Sequence, residues 1–144
     1  MIILQDHREK VGKHNNVEQY FEAQGIVRHR CRLEVGDYMF PNGKVSVDIK
    51  SGGLEELAND LYRDKKDLNK KYKKCLHDKI KLIVLIEEPI KDICELKSWQ
   101  SKHSKINGRL LIDLMHTLQI SYGIRFIFCH PKDTGSKILE LLKE

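Results

Sequence analysis

Asp37, Asp48 and Lys50 are the residues whose types and spacing best suit chemistry. Two carboxylates and an amine held together can bind a divalent cation and turn it on a phosphodiester. The cation neutralises a phosphate and acidifies an attacking water. Hard oxygen ligands suit Mg²⁺, with Mn²⁺ as a substitute; Mg²⁺ keeps several waters and needs few carboxylates. Lys50 would orient or help deprotonate the water, or stabilise charge building on the phosphate.

These residues meet only if a hairpin brings them together. Asn42-Gly43 lies between two runs of alternating apolar residues, a strong short-range hairpin signal. With those two residues as the turn, Pro41 faces Lys44, Phe40 faces Val45, Tyr38 faces Val47 and Asp37 faces Asp48. Alternation across the pleat then sends Tyr38, Phe40, Val45, Val47 and Ile49 to a core face. Asp37, Ser46, Asp48 and Lys50 share the other. The two carboxylates come to roughly 5 Å, the usual cross-strand spacing, where like charges destabilise a sheet. A hairpin selected for stability alone would avoid that pairing; a cation between the carboxylates removes the penalty.

The elements around the hairpin follow from periodicity. Ile2 to Leu4 reads as a short buried strand. Asn16 caps a helix carrying Val17, Tyr20 and Phe21 and ended by Gly25. Ile26 to Val35 reads as a strand leading into the hairpin. Leu54, Leu57, Ala58 and Leu61 keep helical spacing, and the helix continues through a basic stretch to about Cys75. Lys81 to Glu87 is a continuous apolar run and so a central strand. Pro89 to Lys105 is irregular. Gly108 starts a helix, Ile124 to Phe128 is a strand, and Ser136 to Lys143 is a last helix. Helices alternating with strands around one antiparallel hairpin indicate an α/β domain of three layers, α/β/α, with a mixed central sheet. A chain of 144 residues reads as one domain, 1–144.

Charge points to a polyanion. The net charge is +5, but the stretch from Tyr62 to Lys81 holds nine Lys and Arg against three acids. Arg63, Lys70, Lys71, Lys73 and Lys74 are the contacts expected for nucleic acid; the plain alternative is a solvated helix face. The four cysteines, Cys31, Cys75, Cys94 and Cys129, show no metal spacing and read as buried thiols of an intracellular protein. No apolar run reaches membrane-spanning length.

Taken together, these elements resemble the nuclease domain of the XPF/Mus81 (ERCC4-type) family, within the PD-(D/E)xK, restriction-endonuclease-like fold. Asp6-His7-Arg8-Glu9 matches the family's first acidic element and Gly36-Asp37-Tyr38 its Gly-Asp-Tyr. Asp48-Ile49-Lys50 matches its acid-Arg-Lys triplet, Leu54-Glu55-Glu56-Leu57 its acidic helix, and Leu82 to Glu87 its apolar strand ending in Glu. The resemblance implies a Mg²⁺-dependent DNA endonuclease with Asp37, Asp48 and Glu9 as metal ligands and Lys50 beside them. Asp6 and Glu9 complete the shell or form an ion pair with Arg8, itself a candidate DNA contact. One of Glu55 and Glu56 is a possible further acid. The chain departs from the family in three ways: Asp48 replaces a glutamate, Ile49 replaces an arginine, and Gly52-Gly53 looks inserted. It looks like the stand-alone phage or bacterial versions, without a helix-hairpin-helix module.

Lesser candidates are Glu87, a strand end or turn cap, and Trp99, a base-stacking ring or a loop anchor. Leu110, Leu111, Ile112, Leu114, Met115 and Leu118 spread over more than one helix face. That spread suggests a second contact surface, and a homodimer through the C-terminal helices is expected. The leading function is cleavage of branched or flapped DNA, or nicking. The alternatives are a DNA-binding protein or a partner subunit of the same fold with catalysis lost.

Overall fold

In the computed structural model, which describes residues 1–8, 12–63 and 65–144, six strands form one sheet. They are β1 (Ile2–Asp6), β2 (Val27–Cys31), β3 (Tyr38–Met39), β4 (Val45–Lys50), β5 (Lys81–Glu87) and β6 (Arg125–Cys129), in the order β2-β1-β3-β4-β5-β6. β3 runs antiparallel to both its neighbours, while β1 and β2, and β4 through β6, pair in parallel. The helices are α1 (Asn15–Ala23), α2 (Gly53–Arg63), α3 (Lys65–His77), α4 (Gly108–Tyr122) and α5 (Thr134–Leu142).

β5 shows why the fold has three layers. Leu82, Val84 and Ile86 point to a core shared with Leu54, Leu57 and Leu61 of α2, Tyr72 of α3 and Leu111 and Met115 of α4. Ile83 and Leu85 point the opposite way, to Val17 and Phe21 of α1 and Ile138 and Leu141 of α5. Both faces of the strand are covered, so its apolar run shows no alternation. Each side chain so buried contributes about 1.5–3 kcal/mol. A 3₁₀ turn at Ile93–Ser98 seats Leu96 in the first core, and Trp99 packs against it as a loop anchor.

The hairpin holds the expected register, with Tyr38 opposite Val47 and Met39 opposite Ser46. Tyr38, Val45, Val47 and Ile49 are buried in the second core, with Phe40 packed on it. The tip differs from the expected two-residue loop. Gly43 N–H donates to Phe40 O at 2.9 Å, closing a turn over Pro41 and Asn42, and Asn42 takes a left-handed φ of 60°. Proline pre-sets the second position of such a turn and has no N–H for a ladder, so the pairing stops at Met39.

Two further expectations are corrected. Ile26 to Val35 is not one strand: β2 ends at Cys31, because it pairs in parallel with β1 and β1 lies between it and the hairpin. The chain must cross over, and it turns at Gly36, where φ is +76° and a Cβ would sit 2.0 Å from Ser46 Oγ. Asn16 does not cap α1, which begins at Asn15; its amide donates instead to Pro131 O and Glu87 Oε2.

Candidate active site

The strand pairing puts three aspartates in one row. Asp6 N–H donates to Asp37 O at 2.9 Å and Asp37 N–H to Val47 O at 2.8 Å, extending the two registers so that Asp6, Asp37 and Asp48 lie side by side on β1, the start of β3 and β4. They face away from Tyr38 and Gln5, which meet through a 3.2 Å hydrogen bond on the opposite face. Gly36 sets the entry to this row, and Ser46 Oγ fixes the crossing loop by donating to Val35 O at 2.7 Å.

Asp37 is only 4% exposed, and its Oδ2 accepts the Ile49 N–H at 2.7 Å. It also hydrogen-bonds Asp48, side chain to side chain. Lys50 Nζ lies 3.0 Å from Asp48 Oδ2 and 2.6 Å from Asp60 Oδ2. Burial raises the Asp48 pKa, but the Lys50 and Lys71 charges outweigh it and hold the carboxyl below its usual range. Burial likewise works against the Lys50 ammonium, and Asp48 and Asp60 overrule it, pushing its pKa well above that of an ordinary lysine.

Asp60 was not legible as a site residue, yet it is the helical acid that reaches Lys50. It follows Leu57 by three positions and precedes Leu61, both buried, so it sits at the border of the core-facing stripe. That border position is the sequence signal that could have found it. The helix is pinned at its start. Gly53 takes φ +67°, a Cβ there would meet Glu88 Oε1 at 2.2 Å, and that oxygen accepts the Leu54 N–H at 3.1 Å. Tyr72 of α3 completes the wall; burial first, then Asp48 and Asp60, raise its pKa.

The other expected residues are placed as follows. Asp6 accepts Arg8 Nε at 3.1 Å and 2.9 Å on its two oxygens, and Arg8 also donates to Leu33 O at 2.6 Å. The pair is the ion-pair alternative; burial raises the Asp6 pKa, but the Arg8 hydrogen bonds and charge bring it below the usual value. Glu9 lies outside the described residues. Glu55 accepts Ser101 Oγ–H and Lys102 N–H, both at 2.7 Å, and so braces the 101–106 loop. Glu56 accepts Gly52 N–H at 2.7 Å and caps the turn into α2. Glu87 ends β5 on the opposite face, and the turn cap is its neighbour Glu88.

The basic residues lie beside the row. Lys70, Lys71 and Lys74 line a cavity of about 260 Å³ with Glu34, and Lys71 acts on Asp48. Lys74 is tied to Glu34 at 2.6 Å, while Lys73 and Arg63 are exposed. The cysteines are free thiols, with Cys75 buried and Cys94 exposed, against the expectation that all are buried. Among the described residues, no helix is long and apolar enough to cross a membrane. None of their side chains gathers three or more His, Cys, Asp or Glu groups for a metal. The carboxylates that could hold a cation here are those of Asp37 and Asp48. They fit a hard cation such as Mg²⁺, which keeps several waters and takes one or two carboxylates.

The ERCC4 domain family model matches residues 5–142. The chain belongs to the ERCC4 domain family. Its six-stranded mixed sheet with flanking helices is also the fold of solved structures it resembles. It is similar to XPF from Aeropyrum pernix at 22% identity and a TM-score of 0.73, covering 99% of this chain and 64% of that one. A second structure of that protein, in complex with DNA, matches at 22% identity and a TM-score of 0.72, covering 99% of this chain and 63% of that one. This ERCC4 domain thus spans less than two thirds of the solved chains it matches. No curated protein matches it by sequence.

Proposed function

We propose that this ERCC4 domain is a metal-dependent DNA endonuclease that hydrolyses phosphodiester bonds in branched or flapped DNA, or nicks duplex. The observation that carries the reading is the placement of Asp37 opposite Asp48 in the sheet, with Lys50 3.0 Å from Asp48. Two carboxylates pressed together on a sheet face cost stability unless a cation belongs between them. Asp37 and Asp48 would hold Mg²⁺, or Mn²⁺ in its place, with Glu9 a further candidate ligand. When bound, the cation neutralises the phosphate and acidifies the attacking water.

The chain's own residues do the rest. Ile49 N–H orients the Asp37 carboxylate. The Lys50 ammonium presents donors to the same space, where it orients water and stabilises charge on the phosphate. Lys70, Lys71 and Lys73, with Arg63, supply phosphate contacts that position DNA without reading sequence. The XPF structure in complex with DNA supports a DNA substrate. Incubation with supercoiled plasmid and with branched oligonucleotides, in Mg²⁺, Mn²⁺ or EDTA, tests this: metal-dependent cleavage is expected, and intact DNA in every condition refutes it.

The domain works as a homodimer through its C-terminal third in this reading. Ile120 on α4 is 84% exposed and Leu110 39% exposed. Light scattering at micromolar concentration should give twice 16.9 kDa; a mass of 16.9 kDa removes the dimer.

A further inference from the structure

We propose that Asp60 is a positioning residue that keeps the Lys50 ammonium aimed at the reacting phosphate while Asp48 is engaged by a cation. The inference rests on the nuclease reading for its consequence and on geometry for its substance. Lys50 has two anchors, Asp48 at 3.0 Å and Asp60 at 2.6 Å, and is 13% exposed. A cation held by Asp37 and Asp48 draws on the same Asp48 carboxylate. With only that anchor, a four-carbon side chain would swing free and regain its rotamer freedom. The second anchor stands on a different element, and that element is rigid. α2 is held to the sheet by Leu57 at 1% and Leu61 at 3% exposure, one on each side of Asp60. Its first turn is tied by the Glu88–Leu54 and Glu56–Gly52 hydrogen bonds. Groups that hold a reacting side chain are most effective when built on helices and strands rather than loops. Tyr72 walls the same space and is 3% exposed, which leaves the Lys50 side chain little room while Asp60 holds it.

The experiment compares wild type, Asp60→Asn and Asp60→Ala as full chains. The first readout is kcat and KM on a branched oligonucleotide in Mg²⁺. Displacing a catalytic group by about 1 Å can cost on the order of 100-fold. A fall of that size in kcat is expected for Asp60→Ala, with KM and DNA affinity unchanged. Asp60→Asn keeps an acceptor oxygen in the same place and should lose less. The second readout needs no cleavage: the rate at which an amine-acylating reagent labels Lys50, followed by peptide mass spectrometry, with and without Mg²⁺. Mg²⁺ should leave Lys50 protected in wild type and accelerate its labelling in Asp60→Ala. Wild-type kcat in Asp60→Ala overturns the proposal. So does a fall in kcat with Lys50 labelled no faster, which marks a merely structural residue. Should Asp60→Ala fail to fold, Asp60→Asn carries both readouts with the same criteria. If wild type cleaves nothing, faster labelling in the variants still supports the positioning role and the nuclease reading alone fails.

Discussion

Replacing Lys50 by methionine keeps most of the length of the side chain and removes its charge. The ammonium bridges Asp48 and Asp60, and the three side chains are 13%, 16% and 23% exposed. Without it, Asp37, Asp48 and Asp60 face one another around a largely dry space. Removing one partner of a buried ion pair costs about 3–5 kcal/mol. The lower end, about 3 kcal/mol, applies because Asp48 and Asp60 keep some contact with water. For a domain of this size each kcal/mol moves Tm by roughly 3–4 °C, so the variant should melt about 10 °C lower at neutral pH in EDTA. The sign of the pH dependence follows from the shifts. Lys50 is raised, so its contribution is present at every pH below the ordinary lysine value and is lost only in strong alkali. Asp48 is lowered, so its contribution is present above the ordinary aspartate value and lost as pH falls through its folded pKa. The gap between wild type and Lys50→Met should therefore be full at pH 7 and shrink in acid. Millimolar Mg²⁺ should close part of it, because a cation replaces the missing charge. Thermal melts followed by circular dichroism read all three effects. A Lys50→Met variant within roughly 3 °C of wild type at pH 7 in EDTA would show that the ammonium does not hold these carboxylates together.

Three other outcomes follow from charge and burial. Charge reversal at Lys70, Lys71 and Lys73 should weaken binding to all DNA sequences alike and flatten its salt dependence, since counterion release scales with phosphate contacts. Glu34→Gln frees Lys74 from its 2.6 Å ion pair and should tighten DNA binding at low salt; a fluorescence-anisotropy titration over salt concentrations that gave unchanged slopes would reduce the basic stretch to a solvated surface. Burial raises the pKa of Glu87, against hydrogen bonds from Thr134 and Asn16 that lower it. A raised carboxyl contributes stability below the ordinary glutamate value and loses it as pH rises through the folded one. Glu87→Gln should accordingly melt higher than wild type above neutrality and match it in acid; a lower Tm at pH 8 would contradict that burial effect.

The hairpin was legible because two local signals agree: a turn signal at Asn42-Gly43 and a period of two on both sides. That agreement fixed which residues share a face, and so which carboxylates meet, even though Pro41 reshaped the tip. β5 was legible because only a strand covered on both faces tolerates five successive apolar residues. What sequence patterns missed depends on contacts between distant segments. Nothing in Ile26 to Val35 says that it pairs in parallel with β1, since a parallel partner must be supplied by a crossover elsewhere. Asp60 looked like any helical acid because its role depends on α2 lying beside Lys50, and that depends on the turn at Gly52-Gly53. Glu55 and Glu56 matched a family pattern by position, but helical phase turns them to Ser101 and to Gly52.

The central claim is that Asp37 and Asp48 act as one cation-holding pair in DNA hydrolysis. Cleavage of a branched oligonucleotide and binding of the same DNA, measured side by side for wild type, Asp37→Asn and Asp48→Asn, test it most directly. Asparagine keeps the shape of the site, and in Asp37→Asn an oxygen still accepts the Ile49 N–H. The account predicts metal-dependent cleavage by wild type, none detectable by either variant, and DNA affinity unchanged in all three. Wild-type cleavage by either variant in Mg²⁺ would contradict it.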